Sequence, residues 1–178
     1  MIKKDNIDKP TGYYLFYTLG GHGFCASIEC VEVVLGAATP TAMPVREKGF
    51  LGVLQVHEQL IPVFSGFELL GLSPIPLDPS QRIIVFNGSK TVFSDSENIQ
   101  NVGLLVEDII GVASVESYKH YRLNFPASDT EEYVSMFIDE QNQKYIHLPL
   151  AKYFEKISLQ KDIYELINNA ERTILKNE

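Results

Sequence analysis

No stretch of the chain approaches the roughly 20 consecutive apolar residues that cross a bilayer, and the polar opening MIKKDNIDKPTG lacks the apolar centre of a secretory leader. A cytoplasmic protein is therefore expected. Clusters of basic residues are missing as well. The 15 Lys and Arg are scattered among 23 Asp and Glu, giving a formal charge of −8. Such a surface repels phosphate backbones and anionic leaflets, which argues against nucleic acid and direct membrane insertion. Cysteine is scarce: Cys25 and Cys30 are the two present, and in a cytosolic setting they read as reduced, buried thiols.

The same scarcity limits chemistry. His22-x2-Cys25-x4-Cys30 supplies three ligand types but no second pair, and a structural zinc site needs four ligands. Neither cysteine has a basic neighbour to depress its pKa for nucleophilic work. Gly20-Gly21-His22-Gly23 is too short for a phosphate loop and is not followed by Lys. Glu107 and Asp108 are adjacent on a strand-like segment, so they point to opposite faces and do not share a proton. His120 and His147 have nothing convergent near them in sequence. No catalytic residue, metal ligand or cofactor is assigned.

What is present is ordinary globular material, with 45% hydrophobic and 21% charged residues. At 178 residues such a chain buries about 70% of its unfolded surface and needs no staple. Residues 1–11 read as a flexible polar tail. YYLFYTL (13–19) and GFCASI (23–28) are strands, and Gly20-Gly21 between them supplies the positive φ of a two-residue hairpin. ECVEVVL (29–35) places Val31, Val34 and Leu35 at helical spacing, ended by Gly36. ATPTAMPV (38–45) is a proline-punctuated connector.

VLQV (53–56) and LIPVF (60–64) are strands joined through His57-Glu58-Gln59, and Pro62 implies an edge or a bulge there. FELLG (67–71) is one helical turn with a glycine stop. LSPIPLDPS (72–80), with three prolines, is expected as a hinge between halves. RIIVFN (82–87) is a strand, and 87–101 a polar loop enclosing a brief strand. NVGLLVEDIIGVASV (101–115) reads as two strands kinked at Glu107 to Ile110, and SYKHYRLNFPASDTEE (117–132) as a long loop. SLQKDIYELINNAERTIL (158–175) is an amphipathic helix capped by Ser158.

The unit GFLGVLQVHEQLIPVFSGFELLG (49–71) returns as EEYVSMFIDEQNQKYIHLPLAKYFE (131–155). Val53-Leu54 aligns with Met136-Phe137 and Leu60-Ile61 with Tyr145-Ile146, the second turn being longer by two residues. A strand-turn-strand unit cannot bury both faces alone, so two small related sheets or barrels are expected to pack together.

Three segments in order resemble the CheW-like family, the coupling proteins of bacterial chemosensory arrays. They are YYLFYTLGGHGFCASIECVEVVL, GFLGVLQVHEQLIPVFSGFELLGL and GLLVEDIIGVASV, and the resemblance covers residues 12–156. It implies two five-stranded SH3-like β-barrels, here followed by a C-terminal helix over 157–178, and a non-catalytic adaptor. The partners it implies are the regulatory domain of a CheA-type histidine kinase and the cytoplasmic tip of a chemoreceptor. YIHLPLAKYF also resembles the twitching-motility branch acting on type IV pili.

The contact residues it implies are Leu54, Gln55, Val56, His57, Glu58 and Ile61, with Val106, Glu107, Asp108 and Ile109. This chain departs from the family's Asn-Leu-Arg-Gly turn, having Gln55-Val56-His57-Glu58, and has Ser65 where an Asp is usual. Histidine supplies neither the planar fork nor the permanent charge of Arg. The alternative reading is a small-ligand-binding protein or an enzyme with a cleft between the halves.

Overall fold

The computed structural model describes residues 9–44, 46–88, 101–124 and 133–147. The expected tail at 1–8, the brief strand in 89–100 and the C-terminal helix lie outside the described residues. The first hairpin pairs Tyr13–Leu19 (β1) with His22–Ser27 (β2). It turns on Gly20 and Gly21, at φ 57° and 75°, as a primed turn demands. The chain continues through Val31–Leu35 (β3), Phe50–Val56 (β4), Gln59–Ser65 (β5), the single turn Gly66–Leu69 (α1), Arg82–Phe86 (β6) and Val102–Val106 (β7). Asp108–Ser114 (β8), Lys119–Asn124 (β9), Tyr133–Ile138 (β10) and Lys144–His147 (β11) follow.

The protein is mostly β, built as two sheets of the same plan. Sheet I has the order β8-β1-β2-β11-β10-β9 and sheet II the order β3-β6-β7-β5-β4. An antiparallel hairpin (β1–β2 or β6–β7) takes an outer strand on one side (β8 or β3). On the other it is joined in parallel by the second strand of the repeated unit (β11 or β5). The repeat in the sequence is thus one β hairpin per sheet. Sheet I has a sixth strand, β9, on the outer side of β10. At the equivalent place beside β4, the chain makes one bridge, Thr41 to Val53. Gly52 permits that approach: a Cβ there would lie 2.2 Å from the Thr41 carbonyl oxygen.

Three expectations are corrected. Residues 29–35 are not a helix: Ile28–Cys30 is a 3-10 turn and Val31–Leu35 a strand paired with β6. Within 117–132, Lys119–Asn124 is a strand rather than loop. The segment 72–80 joins β5 and α1 to β6 inside sheet II, so it divides no halves; the chain changes sheet at Ile28–Cys30 and again at Glu107. Sheet II is consequently one continuous piece, residues 31–106, inserted between β2 and β8 of sheet I. Pro62 lies in a strand internal to its sheet, but the β5–β7 pairing begins at Val63, so the proline has β4 alone beside it. The turn between β10 and β11 is Asp139–Gln143, three residues longer than His57-Glu58.

Period-2 alternation sorts the core. From β1, Leu15, Tyr17 and Leu19 face sheet II, where they meet Phe64, Phe67, Ile84, Phe86, Leu104 and Val106. Tyr14 and Phe16 point the other way, to Cys25, Val115, Phe137 and Tyr145 inside sheet I. Ile83, Val85 and Leu105 pack with Ile61 and Val63 inside sheet II. Each sheet has its own interior, and the largest cluster lies between the two.

Candidate functional site

The two segments expected to contact partners are placed at different ends of sheet II. β5 runs parallel to β7, with Val63 opposite Gly103 and Ser65 opposite Leu105. The His57-Glu58 tip therefore precedes that pairing while Glu107 follows it. The path between them is on the order of 30 Å of strand at about 3.3 Å per residue.

At the tip, Gln55, His57 and Glu58 are exposed, and Leu54 and Val56 are half-buried against the interior of sheet II. His57 sits at φ 55°, a left-handed conformation that costs a non-glycine residue about 1–2 kcal/mol. The strained position of this turn is thus His57 and not Glu58. Asn142, at φ 62° in the β10–β11 turn, is the other non-glycine residue at positive φ among those described. The Asp139 carboxylate orders that turn, accepting the amides of Gln141 at 2.9 Å and Gln143 at 2.8 Å. Ser65, in the place of the family's Asp, caps α1 with its hydroxyl toward the Glu68 amide at 3.4 Å. Ile61 and Val106, at 2% and 0% exposure, are core residues. Val106 lies in the cluster between the sheets and Ile61 in the interior of sheet II, and both are closed to a partner.

At the crossing, Glu107 is half-buried and serves the fold. Its amide donates to the Thr18 carbonyl at 3.0 Å and its Oε2 accepts the Gly21 amide at 3.1 Å. Ile109 is half-buried beside the inter-sheet core, and Asp108 is exposed.

Beyond Asp108 the structure adds a surface the sequence reading did not single out. β8 is the outer strand of sheet I, with Ile110 53% and Val112 52% exposed, and Tyr13 of β1 is open as well. The pairing slips by one residue at Ile110, which bulges against Phe16/Tyr17. The alternation in DIIGVAS carried this signal: with one face of the strand on the core, Ile110 and Val112 must face out. The outer strand of sheet II, β3, likewise exposes Val34.

Burial pushes the Cys25 thiol well above its ordinary pKa, the opposite of an activated nucleophile. Among the described residues, no group of three or more His, Cys, Asp or Glu is placed to hold a metal ion. No helix among them is long and apolar enough to cross a membrane.

Two sheets of one plan, with the residues expected to contact partners spread over separate ends, make this a two-sheet β protein. The CheW-like domain family matches residues 13–156, and the chain belongs to that family. No curated protein matches it by sequence. Among solved structures it is similar to the scaffolding protein TtCheW from Thermoanaerobacter tengcongensis. The TM-score is 0.59 at 16% identity, over 78% of this chain and 88% of that one. At that identity the likeness concerns the fold.

Proposed function

We propose that this protein is a non-catalytic chemosensory adaptor that couples chemoreceptors to a CheA-type histidine kinase, in chemotaxis or in pilus-based motility. The observation that carries the reading is membership of the CheW-like family across both sheets. The outer strands β8 and β3, each with one neighbour among the described residues, support it, since strand edges flanked by apolar side chains are the surfaces to which another sheet adds. The kinase regulatory domain and the receptor tip are the partners, and the exposed tip residues Gln55, His57 and Glu58 are contact residues.

Size-exclusion chromatography and calorimetry with the kinase regulatory domain and the receptor tip of the same organism test this. A complex at tens of micromolar or tighter is expected, in the range of small modular interfaces. His57→Ala is expected to weaken one of the two complexes about three- to tenfold, the effect of truncating a peripheral contact. Absence of both complexes would overturn the adaptor reading. Unchanged affinities in the variant would remove His57 from the interface.

A further inference from the structure

Sheet II carries a cavity that the adaptor reading does not use. Leu35 at the end of β3 lies opposite Ile83 at the start of β6. The chain leaving β3 (Gly36, Ala37, Ala38, Thr39) and the chain entering β6 (Leu77, Asp78, Pro79, Gln81) therefore stand side by side. Between them is a cavity of about 160 Å³ floored by Ile83 and Leu105. The β3 side of its wall carries only small side chains, Gly36, Ala37, Ala38 and Thr39.

The wall is built rigidly. Gln81 is 3% exposed; its Oε1 accepts the Asp78 amide at 3.0 Å and its Nε2 donates to the Pro76 carbonyl at 3.3 Å. Nη1 of Arg82 donates to the carbonyls of Pro79, Ser80 and Gln81, at 2.7–3.0 Å, and Arg82 does not line the cavity. Asp78 stands at the rim. Its Oδ1 accepts from the Ser80 amide and hydroxyl, and these bonds hold its carboxyl below the ordinary carboxylate value.

An apolar floor under a fixed anionic rim suits one kind of guest, an aliphatic stem ending in a cation. Small-molecule and cofactor pockets run to about 300–1,000 Å³, so this space takes a single side chain and not a metabolite. We infer that the cavity beneath Asp78 receives a lysine or arginine side chain presented by a partner protein, its stem against Ile83 and Leu105 and its charge at the Asp78 carboxylate. In naming a protein as the source, the inference rests on the adaptor reading; the cavity chemistry itself does not.

The test uses the full chain alone. Amide NMR spectra are titrated with N-acetyl-lysine methylamide and, separately, with N-acetyl-norleucine methylamide, which has the stem without the charge. Saturable millimolar binding of the lysine analogue is expected, as suits a few heavy atoms, with shifts at Ala38, Asp78 and Ile83. Binding is expected to be about two- to fivefold weaker for norleucine and for Asp78→Asn, the upper range of an exposed ion pair. Asp78→Asn keeps the acceptor for Ser80, so the rim stays folded. Ala38→Leu, which fills the space, is expected to abolish the shifts while the β1–β2 resonances stay in place. No shift with the lysine analogue, or equal binding of norleucine, overturns the inference. Because neither kinase nor receptor is present, failure of those complexes would leave this result standing, and a flat titration would leave those complexes standing.

Discussion

Glu107 sits in the crossing from sheet II to sheet I, yet its side chain belongs to neither sheet's core. The carboxylate holds the Gly21 amide and the backbone holds Thr18, so one residue fastens the first hairpin to the end of β7. A hydrogen bond to a charged acceptor contributes about 1.5–3 kcal/mol when sheltered, less where solvent reaches it. Glu107→Ala is accordingly expected to lower stability by about 1 kcal/mol, read as a shift of the urea midpoint. His57 offers the opposite case. Relief of its left-handed strain is partly offset by the greater freedom glycine gives the unfolded chain, so His57→Gly should stabilise by about 0.5–1 kcal/mol. Asn tolerates that conformation better, and Asn142→Gly should gain less in the same denaturation series. The place of the β4–β5 turn and the glycine turn at 20–21 were legible in the sequence because turn chemistry is local, although β4 starts three residues earlier than read, at Phe50, and Gln59 belongs to β5. The burial of Ile61 and Val106 was not, because it depends on which sheet lies across from each residue.

At the scale of the element, β3 and β9 escaped the sequence reading for different reasons. In β3, Val31, Val34 and Leu35 satisfy a helical spacing, but Val31, Val33 and Leu35 also alternate. The structure takes the alternation, placing Glu32 and Val34 outside, in keeping with the preference of β-branched residues for strands. β9 offers only Tyr121 and Leu123 as apolar alternates. Its other row is polar, with His120 opposite Phe137 and Arg122 opposite Ser135.

That row makes the strand sensitive to pH. His120 Nε2 is 3.0 Å from Ser135 Oγ, and His147, on β11 opposite Ser135 and Cys25, packs edge-on to Tyr14. Burial lowers the pKa of both histidines; the charges of Arg122 and Lys9 add to this at His120, and that of His120 at His147. A histidine depressed in the folded state takes up its proton more readily when unfolded. Its contribution is present above the ordinary value near 6.5 and is lost as pH falls from there to the lower folded value. Stability is therefore expected to fall as pH drops below about 6.5, the ordinary histidine value. Guanidinium denaturation at stepped pH checks this, and the drop should shrink in His147→Gln.

For the whole molecule, the decisive contacts are those between the sheets. Tyr17, Phe64 and Phe86 are almost fully buried in the cluster where β1 meets β5, β6 and β7. Truncating a buried phenylalanine costs about 3–5 kcal/mol. Phe64→Ala is expected to lose that much and to destabilise both sheets together, in a single transition whose calorimetric and van't Hoff enthalpies agree. Separate transitions would mean that the sheets fold independently. The repeated unit announced two related sheets. It did not announce that one is threaded into the other, because strand order across 80 residues is set by tertiary pairing and leaves no local mark.

The insertion of residues 31–106 between β2 and β8 has a consequence for birth on the ribosome. Sheet II emerges as one uninterrupted stretch and meets its partners in order. The hairpin of β1 and β2 emerges first and then has no β8 or β11 to pair with until the intervening stretch has been made. At about 5–20 residues per second that is a delay of several seconds, during which Tyr14, Leu15, Phe16 and Tyr17, later buried, have only nascent neighbours. β1 gains its second neighbour only with β8 and β2 only with β11, so the hairpin's interval of exposure to misassociation opens before sheet II is made and closes only when the last strands of sheet I arrive.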